Sequence, residues 1–347
     1  MGTQGAIGRH RTLADVRELV SVAPDGAELF VDGRVVSVGG LEAATNHVVE
    51  EVEFTTLPSL GELRCVFTTA NDVHFGETVC GRVEGGESFE VYRSEEGETP
   101  YPEVMSASVV ADMQRCEPAA VVVKGDLTDD GVDEDYARFL EVWGGAFSER
   151  LIHVRGNHDC YRGQSFAAWQ CQSRRLDGAT LAVIDTSRPF QVSGSIGEDQ
   201  LDWLDELGAS ADQPVVVLGH HPLWNPGSDR RTEGHLWLDP DDSAALVEVI
   251  ARRPALSCYL AGHTHRNRRH LVGGVPFVEV ACVKDYPGGW AEYRVYERGI
   301  AQMFHRASAP AAVAWAERTR GMFGGFYGPY ALGELSDRSF VIETATG

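Results

Sequence analysis

The sequence predicts an α/β fold with a largely parallel sheet, preceded by a small all-β module. Three observations lead there. From about residue 63, apolar strand-like runs alternate with helical patterns at roughly 30-residue spacing, which is βαβ grammar. Before that, residues 26–57 read as short strands only. Between the two parts, LPSLGEL at 57–63 has the Pro and Gly of a linker.

The elements follow in order. Leu13, Val16, Leu19 and Val20 recur at helical spacing, so residues 1 to about 20 are expected to form a helical lead-in. AELFVDGRVVSV is two β runs around the turn signal Asp32-Gly33, and HVVEEVEFTT alternates as a half-buried strand does. LRCVFTTANDVH (63–74) is an apolar strand ending in polar residues. A helix is expected at 104–116, a buried strand running into a loop at 119–131, a helix at 133–143 and a strand at 151–155. Further strands are expected at 180–186, 214–221, 256–265, 276–283, 291–297 and 299–306, with helices at 200–207 and 243–252. Short links make the last three strands antiparallel by expectation. The tail after about 307, with GMFGGFYGPY, carries no assignable pattern. The expected division is therefore 1–60, 61–306 and a C-terminal extension at 307–347.

Composition narrows the functional classes. The formal net charge is −22, and a surface so acidic repels phosphate backbones, so no nucleic-acid partner is expected. No apolar run approaches the roughly 18 residues that span a bilayer, so no membrane partner is expected either. The seven cysteines include no C-x-x-C pair, which suits reduced thiols in a cytoplasm better than a disulfide framework. Only two lysines occur, Lys124 and Lys284; the other basic residues are arginine.

The chemistry gathers at strand ends. Asp72-Val73-His74, Gly125-Asp126, Gly156-Asn157-His158-Asp159, Gly219-His220-His221 and Gly262-His263-Thr264-His265 each follow an apolar run. Ligands of α/β sheets bind beyond the carboxyl ends of strands. On an extended chain residues i and i+2 face the same way, which would pair Asp72 with His74 and His263 with His265. Carboxylate, imidazole and amide oxygen suit Mn, Fe, Zn or Ni. A D-x-H alone is common by chance; five such clusters in one order are not. Their number suits two metals about 3.5–4 Å apart with a carboxylate between them.

At these residues the sequence resembles the calcineurin-like metallophosphoesterase superfamily, whose pattern is D-x-H, GD, GNH-D/E, H and GH-x-H. The wording of 121–131, VVVKGDLTDDG, is most similar to its bacterial branch of class III cyclic-nucleotide phosphodiesterases and glycerophosphodiesterases. The resemblance implies a four-layer αββα sandwich of two mixed sheets with metals at one edge. It implies two divalent or mixed-valence ions, Fe or Mn foremost and Zn acceptable. Asp72, His74, Asp126 and His265 would hold one; Asp126, Asn157, His220 and His263 the other. His158 would sit beside the phosphate as proton donor. Asp159 would either orient His158 or serve as a turn residue. His221, before Pro222, is expected to point aside. One departure stands out: purple acid phosphatases carry a tyrosine three residues after the bridging aspartate, where this chain has Asp129. Residues 26–57 nevertheless resemble the fibronectin-III-like module of those enzymes.

The implied activity is hydrolysis of a small phosphodiester, or a monoester, by in-line attack of a metal-bridging hydroxide. Two other readings compete. A non-catalytic scaffold of the same fold would have lost ligands, and none is lost. A nuclease of the same superfamily would want a basic stripe, which is missing. The substrate is left open, as is a homo-oligomeric state. Specificity is expected in the loops 75–103, 187–198 and 222–241.

Overall fold

The computed structural model describes residues 16–82, 89–224 and 236–344. Leu13 and parts of the loops 75–103 and 222–241 lie outside them.

The chain opens with β1 (Arg17–Val22), β2 (Gly26–Val31) and β3 (Arg34–Gly39), a three-stranded antiparallel sheet. A hairpin follows, β4 (Asn46–Val49) and β5 (Val52–Thr55). The end of the expected helical lead-in is corrected here, its residues from 17 on being strand with Val20 buried, while 1–15 lie outside the described residues. Pairing with the fully buried β2 outweighs the helical spacing of the apolar residues, since tertiary context overrides local pattern.

The main body begins with β6 (Leu63–Ala70), α1 (Tyr101–Gln114), β7 (Ala120–Lys124), α2 (Asp133–Phe139), α3 (Gly145–Phe147) and β8 (Leu151–Val154). Then come β9 (Cys171–Arg175), β10 (Thr180–Ile184), α4 (Glu198–Ser210), β11 (Val215–Leu218), α5 (Pro240–Arg252), β12 (Leu256–Ala261), β13 (Arg268–Val272) and β14 (Val275–Glu279). The chain ends with β15 (Gly289–Tyr296), β16 (Gly299–Arg306), α6 (Pro310–Thr319), α7 (Tyr327–Leu332), α8 (Leu335–Arg338) and β17 (Ser339–Ile342). One six-stranded sheet has the order β17-β16-β15-β6-β7-β8, and the other β13-β14-β12-β11-β10-β9. Both are mixed: β6, β7 and β8 pair in parallel, as do β10, β11, β12 and β14, while β15, β16 and β17 in the first sheet and β9 and β13 in the second pair antiparallel with their neighbours.

The two sheets face each other across one core. Val122, Val154, Leu181, Val183, Val216, Leu218 and Leu260 fill it. Neighbouring positions point outward: Val121 and Val123 pack with Met105 of α1 and Trp315 of α6, and Val217 packs with Leu204 of α4 and Leu246 of α5. Both faces of the central strands are thus covered, which is why those strands read as unbroken apolar runs. The result is the four-layer αββα sandwich.

The last three expected strands do not form one antiparallel group. β14 runs parallel to β12 in the second sheet, whereas β15 and β16 pair antiparallel in the first. The link 280–288 crosses between sheets, and it is apolar enough to be buried there: Val280 and Ala281 join the core between the sheets. The tail adds α6, α7 and α8, and β17 closes the edge of the first sheet against β16.

Candidate metal centre

Every strand that carries a motif ends before its polar residues. β6 stops at Ala70, β7 at Lys124, β8 at Val154, β11 at Leu218 and β12 at Ala261. The side chains of Asp72 and His74 therefore do not share a site by strand alternation. Asp72 (φ 53°), His74 (φ 47°), Asp126 (φ 51°), His263 (φ 68°) and His265 (φ 54°) all lie in the left-handed region. Non-glycine residues hold that conformation at a cost of about 1–3 kcal/mol each, and only where the surroundings over-determine it. The turns aim the donors inward. Gly125 (φ 88°) is needed there as well, because a Cβ on it would lie 2.5 Å from Nδ1 of His220.

The donors converge on Asp126, which is buried. Its Oδ2 lies 3.5 Å from Nε2 of His74 and 3.3 Å from Nε2 of His220. On one side, Oδ1 of Asp72 lies 3.4 Å from Nε2 of His265. On the other, Nε2 of His220 lies 3.1 Å from Oδ1 of Asn157 and 3.2 Å from Nδ1 of His263. Groups of three donors close enough to share an ion include Asp72, His74 and His265, and Asp72, Asp126 and His220.

The bonding around these atoms fits a cation. Nδ1–H of His220 donates to the carbonyl of Lys124 (2.7 Å), so Nε2 carries the lone pair. Nδ2 of Asn157 donates to the Tyr161 hydroxyl (2.5 Å), so its carbonyl oxygen faces the same point. Acceptors facing acceptors repel unless a proton or a metal lies among them. Oδ1 of Asp72, both ring nitrogens of His74 and Nε2 of His263 are buried without a hydrogen-bond partner. Such groups are rare in native proteins without a ligand to satisfy them. Protons alone would be held tightly: burial lowers the His220 pKa, but Asp126 and Asp72 outweigh it and push it up to about 9. Burial raises that of Asp126, yet His220 and His158 hold it well below the usual carboxylate range.

His158 is a quarter exposed, unlike the buried donors around it. Its Nδ1–H donates to the Asp129 carbonyl at 2.5 Å, and its backbone N–H donates to Oδ1 of Asp126 at 3.0 Å. Oδ1 of Asp129 lies 3.5 Å from Nδ1 of His74.

Asp159 does not orient His158. It is buried, and its carboxylate accepts from the backbone N–H groups of Gly156, Leu127 and Thr128 and from the Thr128 hydroxyl. It clamps two ligand loops together. His221 turns aside, as expected: Thr186 donates its hydroxyl to Nδ1 (2.9 Å), and Nε2–H donates to the Val192 carbonyl (3.0 Å). His153, near this motif in sequence, bonds instead to the Tyr136 hydroxyl. Sequence reading missed Asn71, Lys124, Thr186 and Tyr161, whose residue types carry no motif signal.

The profile of the calcineurin-like phosphoesterase family matches residues 68–267, which include all seven candidate ligands. The chain belongs to that family. Among curated calcineurin-like relatives, it is 28% identical over 169 residues to a probable cyclic nucleotide phosphodiesterase of Synechococcus sp., covering 46% of this chain and 63% of that protein. It is 31% identical over 181 residues to a cAMP/cGMP dual specificity phosphodiesterase of Mycobacterium tuberculosis, covering 49% and 55%. The matched stretch spans less than two thirds of either relative. A dimetal phosphatase from Danio rerio shares the fold with a TM-score of 0.56 at 14% identity, over 82% of this chain and all of that one. Within this calcineurin-like chain, no helix among the described residues is long and apolar enough to cross a membrane.

Proposed function

We propose that the chain hydrolyses a small phosphodiester at a dinuclear metal centre. One observation carries the reading: six oxygen and nitrogen donors gather around Asp126, several of them buried with no hydrogen-bond partner. Asp72, His74 and His265 would hold one ion, Asn157, His220 and His263 the other, and Asp126 would contribute to both. Without a thiolate, that set suits iron or manganese first and accepts zinc. When bound, such ions supply concentrated positive charge that acidifies water and draws the non-bridging oxygens of a phosphate.

The chain's own groups do the rest. The bond from the His158 N–H to Asp126 ties the backbone of His158 to the carboxylate at the centre. Because Nδ1–H is spent on the Asp129 carbonyl, Nε2 is the ring atom left for a leaving oxygen, and it donates only from the doubly protonated ring, a form that burial disfavours and the Asp126 carboxylate favours. A proton delivered there is worth about 10²–10⁴-fold in rate. Asp159 fixes the loops from beneath and touches no substrate.

The named activities of the relatives put cyclic nucleotides first on a substrate panel and favour diesters over monoesters. The net charge of −22 supports a small substrate over a polymer of phosphates. Seven unpaired thiols suit a reducing cytoplasm. The test is hydrolysis of bis-p-nitrophenyl phosphate against p-nitrophenyl phosphate on protein of measured metal content. Activity should vanish on chelation, return with Mn and favour the diester. A faster monoester, or hydrolysis indifferent to chelation, refutes the reading.

A further inference from the structure

Both lysines of this chain are buried, in a protein that otherwise uses arginine for its basic residues. Lys284 is paired with Glu77, its Nζ within 2.6 and 2.7 Å of the two carboxylate oxygens. Lys124 has no carboxylate within ion-pair distance among the described residues, and its place in the fold is specific. It is the last residue of β7, its side chain reaching between the two sheets. Nζ donates to Oδ1 of Asn71 at 2.6 Å and to the Ala261 carbonyl at the end of β12 at 3.0 Å.

Asn71 is fully buried and immediately precedes Asp72. An amide has one acceptor end and one donor end, and its neighbours decide which way it points. A lysine amine next to it donates, so the carbonyl end of Asn71 must face Lys124. The NH₂ end then faces acceptors: Oδ2 of Asp72 at 2.5 Å and the Val280 carbonyl at 3.0 Å. The backbone N–H of His263 donates to that same Oδ2 at 3.0 Å. One oxygen of Asp72 is thus saturated by the protein, and the other, Oδ1, is buried with no partner and faces His265.

Resting on the dinuclear reading above, we infer that Lys124 and Asn71 are positioning residues that make Asp72 a one-oxygen ligand through Oδ1. Lys124 orients the Asn71 amide, and the amide holds Oδ2 away from the ion. The role needs a donor at Lys124, not its charge. The two roles have opposite signs: a positive charge so near weakens cation binding, so removing it alone would tighten the site. Losing the orientation of a ligand weakens a metal site by about 10–100-fold.

The test is titration of the chelator-stripped full chain with Co²⁺, followed by calorimetry and by the visible absorption of bound cobalt, on protein whose melting temperature is measured alongside. The unaltered chain should take up two ions. Lys124→Met and Asn71→Leu, which keep side-chain bulk, should each weaken one ion by about 10–100-fold and leave the other unchanged. Lys124→Gln, which keeps a donor, should recover part of that loss and carries the comparison if Lys124→Met does not fold. Because Lys124 acts through Asn71, the double variant should bind no worse than Asn71→Leu alone. Unchanged or tighter binding by Lys124→Met overturns the inference, as do additive losses in the double variant or loss of both ions together in all the variants. An unaltered chain that binds no cobalt overturns the dinuclear reading itself, a result distinct from any of these.

Discussion

Asp159 and Thr128 are joined by two hydrogen bonds of 2.8 Å, from the N–H and the hydroxyl of Thr128 to the same buried carboxylate oxygen. The other oxygen takes the N–H groups of Leu127 and Gly156. The loop carrying Asp126 and the loop carrying Asn157 and His158 are therefore one unit. Burial and the nearby Asp126 push its pKa up to about 6, and the four donors favour the ionised form against them.

Asp159→Ala should cost about 3–5 kcal/mol of stability, because it strands buried donors whose full desolvation is then uncompensated. Metal content should fall as both loops loosen. The dependence of rate on leaving group should stay as in the unaltered chain. Denaturant unfolding and a series of aryl phosphodiesters measure the two effects. A steeper leaving-group dependence would return Asp159 to a role in proton transfer.

His158→Ala should behave in the opposite way. Its hydrogen bond to Asp126 comes from the backbone N–H, which the substitution keeps, so metal content should stay near normal. Turnover should slow by about 10²–10⁴-fold, as for a lost proton donor. The loss should shrink for p-nitrophenol, which leaves without protonation. Equal losses for good and poor leaving groups would rule out the acid role.

Adjacent histidines give a third contrast. His220→Ala removes an imidazole whose Nε2 faces Asp126, Asn157 and His263, so the second ion and nearly all activity should go. His221 already spends both nitrogens on Thr186 and Val192. His221→Ala should keep both ions by elemental analysis and lose about 1–3 kcal/mol of stability from the partners it leaves unpaired. Loss of an ion from the His221 variant would show the opposite assignment.

The candidate ligands stand out in the sequence because each is a polar residue within four positions of the end of an apolar strand, and strand ends in α/β sheets are where sites form. The reason they converge was not legible. Alternation along a strand put Asp72 beside His74 for the wrong cause; left-handed turns do it, and Asp and His carry no mark of that conformation in a single sequence. Asp159 looked like a turn residue or a partner of His158, since Thr128 and Leu127 lie 31 and 32 residues away and Gly156 donates only through its backbone. In the fold, β9 (CQSRR) went unseen because an edge strand with exposed polar residues has no periodicity to read. Residues 280–283 read as the end of a strand followed by a short link, although 280–288 carry the chain from one sheet to the other.

The N-terminal strands are fixed to the main body by a charge cluster that should set a pH limit on stability. Nδ1 of His305 on β16 lies 2.6 Å from Glu28 on β2, and Nε2 lies 2.9 Å from Glu292 on β15. Burial lowers the His305 pKa, but Glu28 and Glu292 outweigh it and push it up to about 10. Burial raises that of Glu292, but His305 and Arg294 bring it down to about 2. A histidine raised from 6.5 in the folded chain stabilises fully below 6.5 and loses that contribution as pH rises through 10. A glutamate lowered from 4.5 stabilises above 4.5 and loses it as pH falls through 2. The cluster is therefore strongest between pH 4.5 and 6.5, where it is worth on the order of a few kcal/mol. His305→Gln, which stays neutral, should be less stable than the unaltered chain at pH 6, and the gap should narrow steadily by pH 10. Taking the difference between the two chains removes the other groups that titrate in the same range. A gap in melting temperature that stays constant from pH 6 to pH 10 would show that His305 is not charged in the folded protein.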